Sequence, residues 1–151
     1  MRGHLTILPP RKLACSLSEA VEDLRGSLES ERPFYVTLGE VHKFPVTNVI
    51  HLCVGDGLGN VERLHRHLDR GRFAWQETYR YEPHVTLAQR LVGDEVFRAE
   101  AIAKRKWREF LQSRTFFLEQ LTLVRYAREG NWENLQDYVL RSPSPVPVGS
   151  R

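Results

Sequence analysis

A four-residue motif occurs twice in this chain of 151 residues and constrains its fold more than any other feature. The first motif is His4-Leu5-Thr6-Ile7 and the second motif is His84-Val85-Thr86-Leu87, and both lie in predicted β-strands. Side chains alternate along a strand, so the histidine and threonine of each motif share one face and the aliphatic residues share the other. A strand buried on both faces is normally apolar throughout, so the polar face must meet solvent or a cleft.

Two imidazoles facing one pocket have a specific chemistry. The ordinary histidine pKa is near 6.5, so one ring can act as a base and the other as an acid on opposite sides of a phosphorus atom. The threonine hydroxyls beside them can hydrogen-bond the non-bridging phosphate oxygens, and this chemistry requires no metal. The alternative is that each histidine is an ordinary polar residue on an exposed strand face. Six histidines and seven threonines in this chain predict about 0.3 His-x-Thr pairs by chance, against the two present.

The rest of the chain predicts an α+β fold with antiparallel or mixed sheets. Apolar periodicity and turn residues predict a strand over 3–8, a helix from Ser16 or Ser18 to about Ser30, paired strands over 34–40 and 48–55, a helix ending by Gly71, a strand over 81–89, a helix over 94–110, and a hairpin formed by 116–126 and 132–140. Residues 128–131 supply the turn of that hairpin.

Composition excludes several classes of protein. Lys and Arg exceed Asp and Glu by only 22 to 19, evenly along the chain, so a strongly electropositive DNA-binding module is not indicated. Apolar runs are too short to cross a bilayer, and the N-terminal residues lack a signal-peptide core. Two isolated cysteines, Cys15 and Cys53, indicate neither a disulfide framework nor a zinc site. We therefore expect a cytoplasmic protein without a membrane partner.

The two motifs resemble those of the two-histidine phosphoesterase superfamily, which includes 2'-5' RNA ligase and 2',3'-cyclic phosphodiesterase proteins. The segments that carry the resemblance are 4–11 and 83–89, with further similarity over 45–52 and 117–138. The resemblance implies a bilobal, pseudo-symmetric α+β fold over 1–141, with sheets lining a central cleft and helices outside. Residues 142–151, rich in Pro and Ser, are expected to form a flexible tail.

The same resemblance implies an enzyme that needs no cofactor and acts on a nucleotide or RNA end carrying a 2',3'-cyclic phosphate or a 2'-5' linkage. It assigns His4 and His84 to proton transfer, with His84 as base and His4 as acid, and Thr6 and Thr86 to phosphate binding. The alternative is a non-catalytic nucleotide- or RNA-binding member of the same fold.

Two departures from the family pattern accompany these assignments. Family members usually carry a strand and a helix before the first motif, whereas His4 stands near the start of this sequence, so we expect a shortened first lobe. Either the sequence starts late, or the first motif's strand is exposed at an edge, or another chain covers it; an uncovered edge favours pairing with a second copy of the chain, as a homodimer. Gln89 stands where ligase-like members often have Arg, and Arg11 or Arg90 could supply the missing cation, although either could be a plain surface charge.

Other candidate residues are weaker. Phe44, between Lys43 and Pro45, is the preferred residue for stacking a nucleobase, ahead of Tyr79 and Tyr81, although core packing explains each of them as well. His51 and Cys53 share one strand face and could line the same cleft or be ordinary half-buried residues. His65 and His67 diverge by about 200° on a helix, so they do not predict a metal pair.

Overall fold

The computed structural model describes residues 3–127, 131–142 and 149. The chain forms two compact units: the first contains Met1–Arg11 and Tyr35–Phe116, and the second contains Lys12–Phe34 and Phe117–Arg151. Both motifs lie in the first unit. Over the described residues, no helix is long and apolar enough to span a membrane.

Three α-helices, six β-strands and one short 3-10 helix make up the described secondary structure. In chain order they are α1 (Leu17–Leu28), β1 (Phe34–Lys43), β2 (Ile50–Val54), α2 (Leu58–Leu68), the 3-10 helix Gly71–Phe73, β3 (His84–Ala88), α3 (Glu95–Glu109), β4 (Thr115–Leu118), β5 (Gln120–Tyr126) and β6 (Trp132–Val139). The predicted α+β class is confirmed.

A four-stranded sheet has the strand order β3-β2-β1-β4. β1 pairs antiparallel with β2, and β2 pairs antiparallel with β3, as the β-branched and aromatic composition predicted for β1 and β2. Val41, Ile50 and Leu52 form a buried cluster, and Val85 of β3 and Trp107 of α3 pack against it. Val85 of the second motif therefore faces this core, whereas Leu87 is exposed.

The first motif joins the sheet at one point. Leu5 forms an isolated antiparallel bridge with Val85, whose other neighbour across β2 is Leu52. The segment thus lies beside β3, on the side away from β2. A strand over 3–8 was predicted, and this prediction is wrong: the chain bends at Ile7 and Leu8 before Pro9 and Pro10, which cannot donate to a ladder.

The helix α2 follows a glycine turn. Gly57 has φ of +91°, and a Cβ there would lie 2.4 Å from the carbonyl oxygen of Tyr35, so only glycine fits. The buried side chains of α2 are Val61, Leu64, His65 and Leu68. The predicted helix ending before Gly71 is confirmed.

The second unit contains α1 and a two-stranded sheet. Ser16 caps α1 and forms a capping box with Glu19, which confirms one of the two predicted caps. β5 and β6 pair antiparallel from Gln120 opposite Val139 to Tyr126 opposite Trp132. Within this unit the hydroxyl of Tyr138 donates to the carbonyl of Val21 (3.0 Å).

Two predicted boundaries change. The strand predicted over 116–126 is divided, because β4 belongs to the four-stranded sheet and β5 to the hairpin. The strand predicted over 81–89 narrows to His84–Ala88, since Pro83 lacks a backbone N–H. Parts of two further predictions lie outside the described residues: 128–130 of the turn, and 143–148, 150 and 151 of the tail.

Candidate active site on the first unit

The bridge between Leu5 and Val85 sets the alignment of the two motifs. Because the pairing is antiparallel, one step along each strand places His4 opposite Thr86 and Thr6 opposite His84. Side chains next to a bridged residue point to the opposite face, so these four polar groups share the face that turns away from the core. Directly opposed side chains on a sheet have Cβ atoms about 4.5–5.5 Å apart, and diagonal ones about 7–8 Å apart. The two histidines are such a diagonal pair.

The ring of His84 is oriented by its own backbone neighbourhood. Its Nδ1 lies 2.7 Å from the carbonyl oxygen of Glu82. A carbonyl only accepts hydrogen bonds, so Nδ1 carries the hydrogen and Nε2 is left as the nitrogen available for proton transfer. His84 is half-buried, whereas His4 is exposed.

Behind His84 lies a cluster of aromatic rings. Phe44 stacks on His51 with ring centroids 3.9 Å apart, and it lies T-shaped to His84 with ring centroids 4.9 Å apart. His51 also contacts His84 directly, with ring centroids 5.2 Å apart, and stands opposite Thr86 in the ladder between β2 and β3. The sequence placed His51 at the cleft only as an alternative to an ordinary half-buried position. It predicted that Phe44 stacks a nucleobase. The structure brings both rings against His84, with one face of Phe44 covered by His51.

His51 is buried, with 1% of its surface exposed. Burial lowers the pKa of His51 below its usual 6.5, and the neighbouring His84 lowers it further, against the raising effect of the Val49 carbonyl. Its Nδ1 lies 3.3 Å from that carbonyl, and its Nε2 has no hydrogen-bond partner within the described part of the chain. The ring is therefore neutral near pH 7.

Cys53, the other residue predicted for this face, stands opposite His84 and is half-buried. A Cβ on Gly39 would lie 2.6 Å from its sulfur, so the glycine makes room for the thiol. Cys53 and His51 thus share the strand face that the sequence predicted for them.

The structure does not bring Arg11 to this face as a free cation. Its guanidinium contacts Asp69 (2.6 Å) and Glu77 (2.9 Å), and only 5% of the side chain is exposed. Gln89 and Arg90 are exposed just beyond β3, where Arg90 adopts a positive φ of 61°. Arg11 is accordingly a structural ion-pair partner in this fold.

Two residues bear on the site in a way that the sequence did not predict: Tyr81 was only a candidate for stacking a nucleobase, and His65 was weighed only as half of a metal pair. His65 donates from Nδ1 to the Ile7 carbonyl (2.7 Å), and the Tyr81 hydroxyl donates to the Thr6 carbonyl (2.9 Å). The sequence did hold a signal for His65, because it falls on the apolar face of α2 with Val61 and Leu68. Among the described residues, no group of three or more His, Cys, Asp and Glu side chains could hold a metal ion.

Comparison with known proteins identifies the family. The family model described as the 2'-5' RNA ligase superfamily matches residues 1–130. The chain belongs to this superfamily. The resemblance predicted from the two motifs is therefore confirmed, and the family match covers both of them.

Individual relatives agree with this assignment. A protein of Oceanobacillus iheyensis is 38% identical over 81 residues, which cover 53% of this chain and 47% of the relative, about half of its length. A protein of Bacillus pumilus is 26% identical over 139 residues, covering 91% of this chain and 78% of the relative. Both relatives are named as phosphoesterases.

Solved structures show the same fold. Escherichia coli LigT complexed with 3'-AMP matches with a TM-score of 0.61 at 18% identity, covering 93% of this chain and 78% of LigT. LigT complexed with ATP matches with a TM-score of 0.58 at 18% identity, covering 93% and 77%. The predicted two-histidine phosphoesterase fold is confirmed.

Proposed function

We propose that this superfamily member is a metal-independent phosphodiesterase that processes RNA or nucleotide ends carrying a 2',3'-cyclic phosphate or a 2'-5' linkage. The observation that carries the proposal is the bridge between Leu5 and Val85, which aligns the two motifs side by side. With that register, two imidazoles and two hydroxyls can surround one phosphoryl group. The LigT structures with 3'-AMP and ATP support a nucleotide as the ligand class.

In the proposed reaction, Nε2 of neutral His84 removes a proton from water, and the water oxygen attacks phosphorus. The bond from phosphorus to one ribose oxygen breaks, and protonated His4 donates its proton to that oxygen. One bond to phosphorus forms and one breaks, and the pair of histidines ends with its protons exchanged. Hydroxyl hydrogens of Thr6 and Thr86 stabilise the negative charge on the non-bridging oxygens.

Hydrolysis of 2',3'-cyclic AMP and of a 2'-5' linked dinucleotide tests this proposal, with a chelator present. We expect His4→Ala and His84→Ala each to lower kcat by about 10³-fold, within the range of general acid or base catalysis. Arg66→Ala, at an exposed position of α2 in the same unit, is the matched control and should keep full activity. The profile of kcat/KM against pH should be bell-shaped, because one imidazole must be neutral and the other protonated.

Several results would count against the proposal. Full activity of either alanine variant would remove that histidine from the mechanism, and loss of wild-type activity in the chelator would remove the metal-independent reaction. Binding of 3'-AMP without turnover of either substrate would instead favour the non-catalytic, nucleotide-binding alternative.

A further inference from the structure

The backbone of the first motif is held mainly by side chains. In the part of the chain that the structure describes, its sheet pairing consists of the single bridge at Leu5. The next two carbonyl groups, of Thr6 and Ile7, accept hydrogen bonds from side chains instead of from a neighbouring strand. The donors, Tyr81 and His65, come from distant parts of the sequence.

The two donors support each other. The rings of His65 and Tyr81 lie parallel, with centroids 3.7 Å apart and 5° between their planes. His65 is buried and Tyr81 is half-buried. Burial, with smaller contributions from Glu77 and Glu62, raises the pKa of Tyr81 well above its usual value, so the hydroxyl keeps its hydrogen. Each ring therefore presents one N–H or O–H to one carbonyl of the motif segment.

An ion-pair group fixes the surroundings of these rings. Arg11 bonds Asp69 and Glu77, and its Nε also donates to the Pro9 carbonyl (3.0 Å) just after the motif. Glu77 lies 4.0 Å from Nε2 of His65, on the side opposite the bond to Ile7. The ring of His65 is thus held between the motif backbone and a carboxylate.

We propose that His65 and Tyr81 are positioning residues that hold the first motif at the correct distance from the second. We call this pair of side chains the carbonyl clamp. The proposal rests on the proposed function, since it assigns the clamp the task of placing His4 and Thr6 against the phosphoryl group. Positioning of this kind has large kinetic consequences, because a displacement of about 1 Å can cost as much as 10²-fold in rate.

Tyr81→Phe is the most direct test, because it keeps the stacked ring and removes only the donor to Thr6. We expect amide hydrogens of residues 5–7 to exchange about fivefold faster, which corresponds to the loss of one hydrogen bond of ordinary strength. We expect kcat to fall about tenfold while KM stays within twofold. Tyr126→Phe is the matched control, since Tyr126 lies in β5 and is 55% exposed, and it should change neither quantity.

His65 allows a rescue experiment. His65→Leu removes the donor to Ile7 and should reproduce the faster exchange and lower kcat. His65→Asn restores an N–H close to the place of Nδ1, so it should recover most of both losses. Both limbs of the pH profile should stay where they are in the wild type, because the clamp residues transfer no proton to substrate.

The two readouts separate failure of the clamp from failure of the proposed function. Unchanged exchange at residues 5–7 in Tyr81→Phe and His65→Leu would overturn the clamp, whatever the activity. Faster exchange with unchanged kcat would show that the clamp does not position the catalytic groups, and would also overturn the proposal. A wild type without turnover refutes the proposed function, and with it the clamp's catalytic task.

Discussion

The two motifs are alike in sequence but are supported differently. The second motif lies in β3, which pairs with β2 along its length and packs Val85 on the apolar core of the first unit. The first motif has one bridge and hydrogen bonds from His65 and Tyr81. Disturbing the support of the second motif should therefore unfold the unit, whereas disturbing the support of the first should act locally.

The largest effect is expected from the core beneath the second motif. Ile50 is fully buried and belongs to the cluster that β3 packs against. Ile50→Ala should lower the free energy of unfolding by about 2–5 kcal/mol, through lost burial and an unfilled cavity. The shift of the urea unfolding midpoint measures this loss of stability.

Leu87→Ala is the matched control, because Leu87 is in β3 itself but 45% exposed. Its cost should stay below about 1 kcal/mol. Equal costs for the two variants would show that the second motif does not depend on this core.

The second largest effect is expected at Arg11, which lies next to the first motif. Arg11→Leu leaves Asp69 and Glu77 without their cation. Breaking a buried ion pair costs about 3–5 kcal/mol, and partial exposure of both carboxylates should reduce this to about 2 kcal/mol. Chemical denaturation measures the loss, and KM for 2',3'-cyclic AMP should stay within twofold.

Arg66→Leu, an exposed arginine on α2, supplies the control and should leave stability nearly unchanged. A large rise in KM for Arg11→Leu with unchanged stability would return Arg11 to the phosphate-binding role that the sequence suggested.

The sequence predicted elements that local pattern determines, but not contacts between residues far apart in the chain. Periodicity and β-branched composition predicted α1, α3, β1, β2 and the β5–β6 hairpin, because local burial pattern determines them. The role of Arg11 could not be predicted, since Asp69 is 58 positions away and only the fold brings it near. The same holds for the bond from Tyr81 to Thr6, which spans 75 positions.

The same distinction between local pattern and long-range pairing applies to the candidate site. Strand alternation alone placed the histidine and threonine of each motif on one face. The register between the motifs needed the bridge at Leu5, and the contact of His51 with His84 needed the pairing of β2 with β3.

A smaller effect is expected at His51, which packs behind the second motif. Its pKa is lowered in the folded state, so between that value and 6.5 the unfolded chain binds more protons than the folded one. Stability should therefore fall as pH drops below about 6.5. His51→Phe should remove this part of the pH dependence, because phenylalanine does not titrate.

At pH 8 the same variant tests the unpartnered Nε2. Phenylalanine can stack on Phe44 and carries no buried polar atom, so the free energy of unfolding should rise by about 1 kcal/mol. A steeper slope in His51→Phe than in the wild type would contradict the assignment.

The smallest effect is expected at Gln89, exposed just beyond the end of the second motif's strand. A single exposed amide contributes at most about one ordinary hydrogen bond to a phosphate, so Gln89→Ala should raise KM less than threefold. Gln89→Arg adds a guanidinium that can bind phosphate in two contacts, and it should lower KM about threefold at low salt. That gain should disappear at about 1 M salt, where the screening length is only about 3 Å. Persistence of the gain at high salt would mean that the new arginine acts by packing, and an unchanged KM at low salt would mean that position 89 does not face the substrate phosphate.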